Sequence, residues 1–243
     1  MATALGALPG CQESLSDVDG AFYNGDHRLV HCGVDLDTTG NVSIASIDAG
    51  LDRARDRHEV IELYAHNPGG TVPISKIEHV LAGASARGLS FVTYADFARG
   101  TDAAPGLALS FDDTSVDAWF ALRETFRRYH ARITFFVSRY YSLEDDQRAE
   151  LAALASDGHD IEAHSVRHLH APGYVEDHGL NAYVHDEVDP SIAVLRSQGF
   201  EVHAFAYPFG TRTGELDHAI AKRVPVIRSI TYTYMFAEPP CPQ

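Results

Sequence analysis

Basic residues are scarce in this chain, and their scarcity limits its partners. The 243 residues include 19 lysines and arginines against 34 aspartates and glutamates, a formal net charge of −15 with neutral histidines. Nucleic acids and anionic membranes attract basic surfaces through their phosphates. We therefore expect no nucleic-acid partner and no electrostatic docking on a membrane, whereas neutral or cationic partners suit the charge.

Long hydrophobic runs are also lacking. No segment approaches the roughly 18 apolar residues that a membrane span requires, so we expect no transmembrane span. The length of 243 residues and the hydrophobic content of 45% are nevertheless enough for one large core. We predict a single domain over residues 29–243, preceded by a tail over residues 1–28.

Cysteines are few and odd in number. Cys11, Cys32 and Cys241 have no ligand-like spacing, and both ordinary thiols and one bridge with one free thiol stay open. Leu8-Pro-Gly-Cys11 is similar to a bacterial lipoprotein cleavage box that lacks its upstream part; a disordered tail with a chance cysteine is the other interpretation. The first places the protein in the cell envelope or outside the cell, and the second in the cytoplasm.

Short β-branched or aromatic runs alternate with segments of helical period from about residue 29 onward. This alternation is typical of βα units around a parallel sheet. It predicts an α/β fold, a distorted (β/α) barrel of seven or eight parallel strands, although an open doubly wound sheet gives nearly the same pattern. The predicted strands are 29–35, 60–66, 89–94, 107–113, 132–138, 160–165, 202–207 and 225–230.

Polar residues occur at the ends of several predicted strands. In a parallel barrel the carboxyl ends of all strands open on one face, so these side chains should converge there. They are Asp35, His66, Asp112 with Asp113, His164, and Tyr207-Pro208-Phe209.

Two of these strand ends have the composition of a metal site. Asp112 and Asp113 close an apolar strand, where one carboxylate can bind a cation while the other reaches its bound water; capping of the next helix by Asp113 is the alternative. His164 and His168 are four residues apart, a spacing that puts both imidazoles on one face of a helical turn. Two histidines and one carboxylate leave coordination positions open for a hydrolytic water.

Four motifs follow one another in a fixed order: Ser110-Phe-Asp112-Asp113, Ile133-Thr-Phe-Phe-Val137, His164-Ser-Val-Arg-His168 and Ala206-Tyr-Pro-Phe-Gly210. In residue type, order and spacing this set resembles the polysaccharide deacetylase family, also called the NodB-homology domain or carbohydrate esterase family 4. The resemblance implies a distorted barrel and removal of N-acetyl groups from a carbohydrate such as an N-acetylglucosamine polymer or peptidoglycan.

The resemblance also implies roles for individual residues. Asp113, His164 and His168 would bind a divalent ion, most often zinc, with cobalt, nickel or manganese as alternatives. Asp112 would be the general base. His66 would be the general acid, although a histidine satisfied by a hydrogen bond at a strand end is an equal alternative. Tyr64, Tyr207, Pro208 and Phe209 would contact the substrate.

The order of the motifs differs from that of the family. The segment Val60-Ile-Glu-Leu-Tyr-Ala-His66 and the helix and strand after it are similar to the family's closing motif, yet they come first. We therefore predict a circular permutation, which barrels tolerate because adjacent strand ends lie close together.

The chain departs from the family pattern in three respects. Ala206 stands where an arginine usually orients the catalytic carboxylate, and Tyr64 stands where a leucine usually lines the acetyl pocket. The family's aspartate-tryptophan pair is not evident, and Asp35 and Asp37 are its nearest counterparts. Ala206 leaves open a catalytically silent, carbohydrate-binding member. An O-acetyl esterase or a hydrolase of another carbon–nitrogen bond in a small amide is a further alternative.

Overall fold

The computed structural model describes residues 15–100, 105–231 and 241. Cys11, on which the lipoprotein interpretation depends, lies outside this part of the chain. No helix within it is both long and apolar enough to cross a membrane.

Strands and helices alternate along the described chain, as the periodicity predicts. The strands are β1 Phe22–Tyr23, β2 Val30–Asp35, β3 Val60–Ala65, β4 Ser90–Phe91, β5 Gly106–Asp113, β6 Thr134–Val137, β7 Asp160–Ala163, β8 Ala204–Ala206 and β9 Val226–Ile230. The α-helices are α1 Ile44–Arg57, α2 Ile74–Ala86, α3 Tyr94–Arg99, α4 Val116–Ala121, α5 Arg123–Arg128, α6 Asp145–Ser156, α7 Ala171–His178, α8 Leu180–Tyr183, α9 Asp189–Ser197 and α10 Gly214–Ile220.

Seven parallel strands close a barrel. The order around it is β2, β3, β5, β6, β7, β8 and β9, and β9 pairs with β2 to complete the ring. The prediction of a distorted (β/α) barrel is confirmed, and the open sheet is excluded. The circular permutation stays a prediction.

The eighth predicted strand, 89–94, shrinks to the two residues of β4, which pair with β5 beside the barrel. The strand is short because α3 begins directly after Thr93. The Thr93 hydroxyl accepts a hydrogen bond from Asp96 N–H, and the Asp96 carboxylate accepts one from Thr93 N–H, so the two residues cap α3 reciprocally. The division of the chain at residue 29 also stays a prediction. Within the predicted tail, β1 pairs antiparallel with β3.

Side chains alternate between the barrel interior and the layer under the helices, as strand geometry requires. The outward side chains of the strands form the main core with the helices, for example Leu63, Leu109 and Phe135. The inward side chains near the carboxyl ends include Asp112, His164 and Arg228, so polar groups converge at that end of the barrel.

Helix α3 closes the opposite end of the barrel. Tyr94 is 1% exposed, packs edge-on against Phe136 at 4.9 Å between ring centroids, and donates a hydrogen bond from its hydroxyl to Glu62 (2.9 Å). Phe97 stacks on His31 at 4.3 Å between centroids. These contacts fill the end of the barrel opposite the carboxyl ends of the strands.

Candidate active site

A cavity of about 570 Å³ opens at the carboxyl ends of the barrel strands. Eight of the nine side chains predicted for the site line it; Pro208 is the exception, because it is buried behind the cavity wall. The lining residues are Tyr64, His66, Asp112, Asp113, His164, His168, His170, Tyr207, Phe209, Gly210, Thr211, Arg228 and Ile230.

Asp113, His164 and His168 come together in this cavity. Asp113 Oδ1 lies 3.2 Å from His168 Nε2 and 3.7 Å from His164 Nε2, and one potential ligand atom from each residue lies within 4.8 Å of the others. Asp113 Oδ1 is buried and accepts no hydrogen bond from the described residues. This donor set, two imidazoles and one carboxylate, fits a divalent transition ion.

The two imidazoles are held in the form that binds metal. His164 donates a hydrogen bond from Nδ1 to the Ala206 carbonyl (2.9 Å), which leaves the lone pair of Nε2 facing Asp113. Burial lowers the pKa of His164 well below its usual value, and the neighbouring His168 lowers it further. Burial also lowers the pKa of His168. Both rings are therefore neutral near pH 7.

The histidine pair lies on a loop, so the expected helical turn is wrong. Ser165 and His168 have φ values of 66° and 61°, in the left-handed region that non-glycine residues seldom adopt. The Ser165 hydroxyl oxygen accepts a hydrogen bond from His168 N–H (3.0 Å), which spans the turn between them.

Glu187 anchors the same loop from outside. Its carboxylate is fully buried and accepts hydrogen bonds from Arg167 N–H (2.8 Å) and from Arg167 Nε (2.5 Å). Glu187 lies in a π-helical turn, Val184–Val188, between α8 and α9.

Arg228 of β9 supplies the guanidinium that is missing at Ala206. Its Nη2 forms a buried ion pair with Asp112 Oδ2, and its guanidinium lies 4.8 Å from the Tyr64 ring centroid. Ala206 and Arg228 are register partners on β8 and β9, so the arginine has moved to the neighbouring strand at the same height. The other oxygen, Asp112 Oδ1, accepts no hydrogen bond from the described residues.

One feature of the sequence indicates a structural role for Arg228. A single cation interrupts the apolar run Val226-Ile-Arg228-Ser-Ile230 of a predicted barrel strand, and a buried arginine requires an acidic partner. The identity of that partner depends on strand register, which the run itself does not reveal.

His66 forms a second polar pair with Asp37. His66 Nδ1 lies 2.6 Å from Asp37 Oδ2, and Asp37 Oδ1 accepts the backbone N–H of His66 (3.2 Å). Burial alone would lower the pKa of His66, but the hydrogen bond to Asp37 and the charge of Asp112 outweigh it and raise the pKa to about 9. His66 therefore carries a proton near pH 7. Trp119 is a core residue whose indole N–H donates to the His66 carbonyl (2.8 Å).

Aromatic side chains form the walls of the cavity. Phe209 is 57% exposed, has a φ of 59°, and lies 4.7 Å from the His168 ring. The Tyr207 hydroxyl donates to Asp217 (3.0 Å), so the ring rather than the hydroxyl faces the cavity. Tyr64 is nearly buried beneath Arg228.

Three solved structures to which the chain is similar are described as deacetylases. The catalytic domain of a peptidoglycan N-acetylglucosamine deacetylase from Eubacterium rectale is 19% identical with a TM-score of 0.40, and the alignment covers 50% of this chain and 57% of that one, less than two thirds. Streptococcus pyogenes deacetylase PplD in complex with acetate is 16% identical (TM-score 0.49; 65% and 80% covered). The BpsB deacetylase domain from Bordetella bronchiseptica is 13% identical (TM-score 0.48; 87% and 96% covered).

The sequence of the chain gives the more specific assignment. No curated protein matches it. The family model described as polysaccharide deacetylase matches residues 99–226, more than half of the 243 residues, and the matched segment contains Asp112, Asp113, His164 and His168. The chain therefore belongs to the polysaccharide deacetylase family, whose members hydrolyse amide bonds.

Proposed function

We propose that the protein is a metal-dependent deacetylase that removes N-acetyl groups from a polysaccharide containing N-acetylglucosamine, or from peptidoglycan. The observation that carries the proposal is the grouping of Asp113, His164 and His168 in one cavity with an ionisable pair, Asp112 and His66. A metal site by itself can bind a ligand, whereas a metal site flanked by a general base and a general acid can hydrolyse an amide.

Asp113, His164 and His168 would hold the ion, and zinc suits two imidazoles and one carboxylate best; cobalt, nickel or manganese can use the same ligands. When bound, such an ion supplies Lewis-acid polarisation of the acetyl carbonyl and activates a water molecule. The neutral state of both imidazoles and the absence of a hydrogen bond to Asp113 Oδ1 from the described residues support this assignment.

Asp112 acts as the general base. Arg228 fixes one oxygen of its carboxylate, while Oδ1 is left to accept a proton from the attacking water. The buried position of this ion pair keeps the carboxylate in one orientation, which is what a base needs to remain aligned with its substrate.

His66 acts as the general acid. As the water oxygen adds to the acetyl carbon, the carbon–nitrogen bond breaks, and the sugar nitrogen takes a proton from His66 so that it leaves as an amine with acetate as the other product. The pKa of His66 near 9 keeps this proton available at neutral pH. Asp37 orients the ring through Nδ1 and thereby points Nε2 towards the cavity.

The walls of the cavity orient the sugar. Phe209 presents an exposed ring beside His168, a surface on which a sugar ring can stack. A backbone N–H near Phe209 assists the developing oxyanion. Tyr64 narrows the region that leucine lines in the family, so a small acyl group such as acetyl is favoured.

Arg228 favours turnover over the silent alternative. That alternative depends on Ala206, which cannot orient a base. The guanidinium of Arg228, on the strand adjacent to Ala206, can orient Asp112 instead.

The test combines metal analysis of the purified protein with acetate release from N-acetylglucosamine oligomers, peptidoglycan and O-acetylated oligomers. We expect Asp113→Asn to lose metal affinity, and Asp112→Asn to retain the metal but lose turnover. Asp145→Asn, at a carboxylate that is 98% exposed, is the matched control and should change neither. Full activity of both Asp112→Asn and Asp113→Asn would refute the proposal, and release from O-acetylated oligomers alone would make the protein an esterase.

A further inference from the structure

A second cavity, of about 420 Å³, lies beside the catalytic cavity. Tyr64 and Ile230 line both cavities, so the two adjoin at these side chains. Tyr64 can occupy this position because residue 33 is glycine; a Cβ there would lie 3.1 Å from the tyrosine ring. Two adjoining cavities of this size suit two neighbouring units of a polymer.

The charged residues that line the second cavity are both acidic. They are Asp17 and Asp35, and no lysine, arginine or histidine is among the lining residues of this cavity. Thr39, Asn41 and Thr231 add groups that hydrogen-bond to hydroxyls, and Thr231 Oγ1 has no partner within the described chain. The lining therefore matches a sugar ring and repels an anion.

Of the two acidic residues that line the second cavity, Asp35 is the one that lies close to His66. One of its oxygens accepts Asp37 N–H (2.8 Å), and a carboxylate oxygen lies within 4.8 Å of potential ligand atoms of both Asp37 and His66. Burial raises the pKa of Asp35, and the negative charges of Asp37 and Asp112 raise it further. The Lys76 ammonium, which is also close enough to interact, donates its hydrogen bond to the Leu36 carbonyl (2.9 Å).

A cation in the second cavity would face the carboxylates of Asp17 and Asp35, in addition to the positive charges of His66 and Lys76 that already lie near Asp35. A metal ion bound by Asp35, Asp37 and His66 would have to break the 2.6 Å contact between Asp37 and His66. An ammonium group need not break it, because it can donate a hydrogen bond directly to the Asp35 carboxylate.

We propose that the second cavity is a subsite for a 2-amino sugar with a free, protonated amine, adjacent to the N-acetylated sugar that is hydrolysed. The inference rests on the proposed function and adds a substrate preference to it. Each hydrolysis converts an amide into an amine, so moving the polymer by one unit delivers the product of one cycle to this subsite for the next. The enzyme would then deacetylate runs of neighbouring sugars rather than scattered ones.

The experiment measures acetate release from defined N-acetylglucosamine tetramers. One substrate is fully acetylated, and two others carry a single free amine on either side of a fixed acetylated unit. We expect kcat/KM of the wild-type protein to be about fivefold higher for one of the two amine-bearing tetramers than for the fully acetylated tetramer. A factor of this size corresponds to one partly exposed ionic contact. Raising the salt concentration should reduce this preference.

In the variant Asp35→Asn, the ratio of kcat/KM for the preferred amine-bearing tetramer to kcat/KM for the fully acetylated tetramer should be close to one. Asp48→Asn, at a partly exposed position of α1 that pairs with His79 and Arg87 of α2, removes the same charge elsewhere and should retain the wild-type ratio. Equal kcat/KM for all three tetramers in the wild type, or an unchanged ratio in Asp35→Asn, would overturn the inference while leaving the deacetylase intact. Absence of acetate release from every tetramer would instead count against the proposed function.

Discussion

Removing Arg228 should damage both stability and turnover, because its partner is buried. The side chains of Arg228 and Asp112 are 1% and 3% exposed. Two unit charges about 4 Å apart attract by about 4 kcal/mol in surroundings of effective dielectric constant 20, and removing one partner of a buried pair costs about 3–5 kcal/mol. We expect Arg228→Met to lower the free energy of unfolding by about that amount.

The loss of turnover follows from the freed carboxylate. Without Arg228, nothing in the described chain donates to Asp112 Oδ2, so the base can rotate away from the water. Removing such an outer partner typically costs about 10- to 100-fold. We expect kcat for acetate release to fall by this factor while the metal content is retained.

Two further variants separate position from charge. Arg228→Lys keeps the charge but not the planar fork, and its kcat should lie between those of the wild type and Arg228→Met. The exchange Arg228→Ala with Ala206→Arg returns the guanidinium to the neighbouring strand and should recover part of kcat, since the two positions are register partners.

The assays are urea unfolding and acetate release, with Arg223→Met as control. Arg223 pairs with Asp189 on the surface, where both side chains are about a third to a half exposed, so its loss should cost no more than about 1 kcal/mol. The reasoning is refuted if Arg228→Met, or Arg228→Lys where the former fails to fold, keeps wild-type kcat and stability.

Three other changes probe the supports of the site. In Asp37→Asn the pKa of His66 should fall, because the effect of burial is then opposed by fewer negative charges. The alkaline limb of the pH profile of kcat, expected near pH 9 in the wild type, should therefore move to lower pH. An unchanged alkaline limb would exclude His66 as the general acid. Glu187→Gln should weaken metal binding about 10- to 100-fold through the displaced His168, measured by chelator competition, whereas unchanged affinity would make Glu187 a purely structural residue. Cys32→Ser, which removes the disulfide to Cys241 across a separation of 209 residues, should lower the unfolding free energy by about 2–5 kcal/mol in urea, and equal stability with and without reductant would contradict the bridge.

Most of the barrel is predictable because its strands are short apolar runs with clear limits. The predicted strand 60–66 agrees with β3 to within one residue, and strand 107–113 agrees equally well with β5. The segment between β5 and β6, by contrast, forms two helices, α4 and α5, that meet at Leu122. Periodicity detects a buried face but not a change of axis along it.

The predicted metal-binding residues come together, whereas their supports were hidden in the sequence. Asp113, His164 and His168 stand in motifs whose spacing marks them. Arg228 acts on a residue 116 positions away, and only the register of adjacent strands creates that contact. Glu187 looks like an ordinary surface acid in a polar stretch until Arg167 is seen to pair with it.

Helix α3 closes the floor of the barrel, and this has a kinetic consequence for the proposed reaction. Tyr94 and Phe97 fill the end opposite the cavity, so acetate formed in the cavity would leave through the mouth at the carboxyl ends of the strands. The sugar would occupy that same mouth. Acetate and the deacetylated chain would therefore share one exit route, and the order in which they leave would govern how soon the next N-acetylated unit can enter.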